Sequence, residues 1–120
     1  MGSLLVHITV GPENPTRAAL GFLVAKQALE MGHTVTVFLA AEAVHLIKTP
    51  VIDSVVGLGS GSLRAHYDAI VAGGGRFVVS GLSAKIRGVV DEDYVGKPAE
   101  VGMPNTLVDL IFSHDRTVVY

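Results

Sequence analysis

The chain has 120 residues, enough for one real core and too few for two domains, so a single domain spanning residues 1–120 is expected. Hydrophobic residues make up 49% and charged residues only 17%, and no run approaches the about 18–20 uncharged apolar residues that a spanning helix needs. The net charge of −2, from nine basic and eleven acidic residues well mixed along the chain, together with 6% aromatic residues, argues against nucleic-acid binding. There is no cysteine, which removes disulfides, cysteine-ligated zinc, iron–sulfur clusters and thiol chemistry together.

The elements alternate. Residues 4–11, "LLVHITVG", read as a buried strand ended by glycine. Asn14 can cap the following helix, Pro15 suits its first turn, and Gly32 stops it. "TVTVFLAA" (34–41) reads as a second buried strand, and "AEAVHLIK" as a short helix that Pro50 ends. Residues 51–62 combine a short apolar run with a glycine-rich loop. Ser62 then caps a helix that stops at Gly73–Gly75. "RFVVS" (76–80) is a third strand and "GLSAKIRGV" (81–89) a helix starting directly at its end. Residues 91–104 are polar and turn-rich, with at most one helical turn. A last helix opens at Pro104 or Asn105, and "RTVVY" (116–120) closes the chain as a strand.

Strands alternating with helices through short links predict a Rossmann-like three-layer α/β/α sandwich with a mainly parallel sheet of four or five strands. Ligands in such sheets bind at the carboxyl ends of strands, near a topological switch point. Three loops then qualify: 11–17, 40–43 and 80–83. The first carries Glu13 and Arg17, which could wall a ligand or simply form a solvated first turn. Glu42 in the second has the same ambiguity. The third carries Ser80, Gly81 and Ser83, with Arg87 one helical turn beyond Ser83.

Several chemistries fail on pattern. The loop after the first strand has one glycine and no G-x-G-x-x-G, and "GLGSGS" lacks the Gly-Lys-Ser/Thr ending of a phosphate-binding loop. The five histidines (His7, His33, His45, His66 and His114) show no H-x-H or H-x-x-x-H spacing, so no metal site is predicted. "GLSAK" approximates a G-x-S-x-G elbow, and Asp109 and His114 follow Ser83 in hydrolase order. Lys85 replaces the second glycine, however, and Asp109 and His114 at i, i+5 do not align on one helix face. The opening of the helix after Ser80 presents backbone N–H groups. They would activate a thiol, but they cannot ionise a hydroxyl that has no nearby base. Ser80 and Ser83 are therefore expected as caps or hydrogen-bonding groups, with no catalytic residue and no cofactor.

The stretch "GPENPTRAALGFLVAKQALEMGHTVTVFLAAEAVHLI", the central "VVSGLSAKIRGV" and the closing "PNTLVDLIFSHDRTVVY" together resemble the DsrE/DsrF-like, YchN-like family over nearly the whole chain. Relatives of this kind are small cytoplasmic proteins that form trimers or hexamers, and several relay sulfur as a persulfide on a cysteine. The family's central motif, often written C-G-x-C/S-x-K-x-R-G, places Ser80 at the cysteine and Ser83 at the second Cys/Ser position. Gly81, Lys85, Arg87 and Gly88 match it.

The resemblance implies a cytoplasmic homo-oligomer, a trimer or hexamer. Its pocket would be built from loops 11–17, 40–43 and 80–87, binding a small ligand or a partner without sulfur transfer, because a hydroxyl forms no persulfide. The alternatives are a thiol-independent enzyme in which Ser80, Ser83 and Arg87 orient a small anionic substrate, or a structural subunit of a hetero-oligomer with DsrE-family partners.

Overall fold

The computed structural model describes residues 1–120. Five parallel strands form the sheet: β1 (Ser3–Ile8), β2 (Thr34–Leu39), β5 (Arg76–Ser80), β6 (Ala99–Gly102) and β7 (Arg116–Val119), in the order β6-β5-β2-β1-β7. Around it lie α1 (Pro15–Glu30), α2 (Thr49–Ser54), α3 (Leu63–Ala72), α4 (Gly81–Ile86) and α5 (Pro104–Ser113), with a 3₁₀ segment at Ala41–Ile47. Two-residue strands β3 (Val56–Gly57) and β4 (Gly61–Ser62) make a small antiparallel hairpin. The α/β sandwich with a parallel sheet is thus as the element order predicts.

The caps explain where the helices begin. Asn14 Oδ1 accepts from the Arg17 N–H at 3.2 Å, and Ser62 Oγ accepts from the Ala65 N–H at 3.2 Å, each satisfying one donor that the first turn would leave unpaired. Other boundaries differ from the sequence reading. Pro50 does not end a helix; it sits in the first turn of α2, where its missing N–H costs nothing. The stretch 41–47 is a 3₁₀ segment, and the apolar run after Pro50 divides between α2 and the hairpin. Within the turn-rich 91–104 segment lies β6, a fifth strand following a 3₁₀ turn at Asp91–Tyr94. Its sequence, "AEVG", has one β-branched residue and a glycine. Propensity hides it, and pairing to β5 from Phe77↔Ala99 to Ser80↔Gly102 makes it.

Strand order explains a lopsided core. From β1 the chain moves one way, to β2, β5 and β6, and then crosses back to place β7 on the far side of β1. Right-handed crossovers in opposite directions put their helices on opposite faces. One face therefore carries the large core of 22 buried residues, whereas α5 alone covers a small cluster of Leu5, Phe38, Val78 and Leu110 on the other. The order reverses at β1, which loop 11–17 borders, and the connections leaving the adjacent strands β5 and β6 turn to opposite faces, so loop 80–83 borders a change of face as well.

Three aromatic rings join α1, α3 and β5 inside the large core. Phe22 lies 5.6 Å from Phe77 between ring centroids, and Tyr67 stacks on Phe77 at 5.3 Å. Phe77 is fully buried at the centre of this group. Phe77→Ala should lower the unfolding free energy by about 3–5 kcal/mol, read from urea midpoints at unchanged slope; a loss below about 1 kcal/mol would contradict this placement of the core.

Candidate functional site

The loops after β1, β2 and β5 meet at the carboxyl ends of the three central strands. Their meeting is built around residues 41–42. Gly11 is buried against the backbone of Glu42 so closely that a Cβ on it would lie 2.2 Å from the Glu42 carbonyl oxygen. No residue but glycine fits there. Ala41, the residue before Glu42, has φ of +51°, a left-handed conformation that costs a residue with a Cβ about 1–2 kcal/mol. Its N–H donates to Ser83 Oγ at 2.9 Å, so a side chain of α4 holds the strained turn.

Charge closes the same junction. Arg87 Nε and Nη2 both donate to Glu42 Oε1, at 2.9 and 2.7 Å, and Nη1 reaches the Ser83 carbonyl at 3.4 Å. His45 Nε2 stands 3.9 Å from Glu42 Oε2. Hydrogen bonding from Arg87 pulls the Glu42 carboxyl below its ordinary range; loss of hydration opposes it, and the guanidinium charge and His45 add smaller pulls in the same downward direction. The Arg87 pKa moves up for the reciprocal reason.

Of the seven candidate residues, five come together: Glu42, Ser80, Gly81, Ser83 and Arg87. Ser80 Oγ accepts from the Ser83 N–H at 3.3 Å, capping α4. That helix is six residues long and turns off at Gly88 with φ of +68°, shorter than the 81–89 that the sequence suggests. The other two candidates make no bond to the Glu42–Arg87 pair, although Glu13 stays beside Gly11 at the junction. Glu13 folds back so that Oε1 accepts from the Gly11 N–H at 2.7 Å, and Arg17 is exposed with no ion pair.

The hydrolase-like trio does not assemble. His114 Nδ1 donates to the Leu110 carbonyl at 2.6 Å, which leaves Nε2 as acceptor for the Thr36 hydroxyl at 3.0 Å. Thr36 and Ala41 are five residues apart along β2 and its extension, about 16 Å, and Ser83 is bonded at the Ala41 end.

Three participants escape the sequence reading: Gly11, Ala41 and His45. Gly11 reads as a strand terminator, and its close approach to another loop is a tertiary fact. An alanine carries no signal for a left-handed turn. His45 lies three residues after Glu42, and that i, i+3 spacing on a helix is the signal that could have paired them. Two cavities, of about 650 and about 390 Å³, lie at the opposite, amino-terminal end of the sheet. The first is lined by residues such as Gly2, His33 and Asp115, the second by residues such as Thr34, Arg76 and His114. The groups within the described residues form no cluster of three or more His, Asp or Glu suited to a metal ion, and no helix is long and apolar enough to cross a membrane.

The architecture is that of a small parallel α/β protein with the YchN fold. The crystal structure of the YchN protein from E. coli superposes with a TM-score of 0.80 over 100% of both chains at 14% identity, a likeness of fold. The model of the DsrE/DsrF-like family matches residues 2–120, and the chain belongs to that family. Among curated proteins none matches the sequence.

The Glu42 carboxyl has a lowered pKa in the folded state, so its contribution to stability is present above the unfolded-state pKa and is lost as pH falls through the folded one. The stability difference between wild type and Glu42→Gln should therefore be largest near neutral pH and shrink below the ordinary carboxylate range. Thermal melts at a series of pH values read it, and a difference that is constant or grows toward acid would contradict the Glu42–Arg87 pairing.

Proposed function

We propose that this is a non-catalytic member of the DsrE/DsrF-like family. It acts as a homo-oligomer whose strand-end face receives a partner or a small ligand without carrying sulfur. The observation that supports this most is how the polar groups at Ser80–Arg87 are used. Ser80 caps α4, Ser83 holds the Ala41 turn, and Arg87 is held by Glu42. Each is committed to the fold, and none is paired with a base that could activate a hydroxyl.

Family membership supports a role related to sulfur relay. The atom that would carry the sulfur is replaced by oxygen at both motif positions. High apolar content with few charges supports self-association. Among homo-oligomers, trimers or hexamers suit the family resemblance best.

The test is intact-mass spectrometry after incubation with a low-molecular-weight persulfide donor. The wild-type mass should not change, while a Ser80→Cys variant treated alongside shows that the donor is competent by gaining about 32 Da for each sulfur. A stable gain of that size on the wild type would overturn the reading.

A further inference from the structure

Two exposed apolar faces remain without a partner in the chain, and they are unlike. The first is on α4, beside the strand-end junction. Leu82 and Ile86, four residues apart, are 53% and 84% exposed. At the start of α4, Gly81 lies so close to Val101 and Met103 that an added Cβ would stand 2.9 and 3.0 Å from their side chains, so these two half-exposed residues extend the same patch. The second is the outer face of α5. Leu110 turns inward onto Leu5, Phe38 and Val78, which leaves Val108, Ile111 and Phe112 outward, Phe112 at 87% exposure. A ring as large as phenylalanine's, left almost fully in water on a helix that is otherwise the thin cover of the sheet, is a cost that an interface removes.

The charges on the two faces are opposite. Lys85 stands between Leu82 and Ile86, exposed and without an ion pair; Asp109 stands beside Phe112, exposed and likewise without one. Packing α4 on α4, or α5 on α5, about a twofold axis would bring two lysines or two aspartates toward each other. Packing unlike faces brings lysine to aspartate.

Resting on the homo-oligomer reading above, we propose that a second copy of this chain docks its α5 face, centred on Phe112, onto the α4 face centred on Ile86. Contacts between unlike patches are heterologous, so each copy has one donor and one acceptor face, and a rotation that closes, as a trimer or hexamer requires, makes the assembly a ring. The arrangement sets the neighbour's α5 against the helix that carries Ser83 and follows Ser80. The strand-end junction then lies at a subunit boundary, and a partner or ligand received there meets two copies of the chain.

Complementation tests this on the full chain. Ile86→Glu blocks one face and Phe112→Glu the other, and both positions are exposed enough that the variants should fold with the circular dichroism of wild type. By light scattering, wild type should be an oligomer and each variant a single chain of 12.5 kDa. An equimolar mixture should give a species of twice that mass, because the intact α5 face of Ile86→Glu meets the intact α4 face of Phe112→Glu. A mixture that stays monomeric, or a variant that alone keeps the wild-type mass, would overturn the docking. A wild type that is itself monomeric would instead overturn the homo-oligomer reading on which the docking rests.

Discussion

The backbone contact between Gly11 and the Glu42 carbonyl is the constraint on which the strand-end region depends. Parallel strands β1, β2 and β5 end side by side, so the three loops leaving them compete for one small space. Removing a Cβ at Gly11 lets the second loop pass directly over the first. The pass puts Ala41 into a left-handed turn, and that strain is held by the Ser83 hydroxyl from the third loop. Once the turn is held, the Glu42 side chain faces α4 and takes Arg87. Each step follows from the one before, and the result is a closed knot of backbone and side chains.

Oxygen suits this knot in a way that sulfur would not. A serine hydroxyl accepts a backbone N–H at ordinary hydrogen-bond length, whereas a thiol is a weak acceptor and a larger atom. The two motif positions where the family resemblance expects sulfur chemistry thus serve here as an N-cap and as the support for a strained turn. What the molecule leaves available lies on its surface: the free cation of Arg17, the apolar face of α4 and the apolar face of α5. The two sheet faces differ for a topological reason. The single return crossover from β6 to β7 supplies only one helix to its side.

Much of the fold was legible because buried parallel strands are continuous apolar runs and the helix caps are local. "TVTVFL", "RFVVS", Asn14 and Ser62 each announce their role within a few residues. β6 was not legible, since "AEVG" is a strand only because β5 offers an unpaired edge. The same divide runs through the site. Ser80, Ser83, Glu42 and Arg87 could be named from residue type and from their place after strands. Their partners could not, because the bonds Ala41–Ser83 and Glu42–Arg87 span 42 and 45 residues. Glu13 and Arg17 sat in the right loop by sequence, but the Gly11 N–H takes up the Glu13 carboxylate locally, and Arg87 pairs with Glu42.

The central claim is that the Ser83 hydroxyl is a structural acceptor at the strand ends. Amide hydrogen exchange at Ala41 tests it most directly, with the Ser83→Ala variant as the comparison. The account predicts a protected Ala41 N–H in the wild type and a marked loss of protection at that residue in the variant, while amides in the core of β2 stay slow. An Ala41 amide that exchanges at the rate of an open loop in the wild type, or that is unchanged in Ser83→Ala, would contradict it.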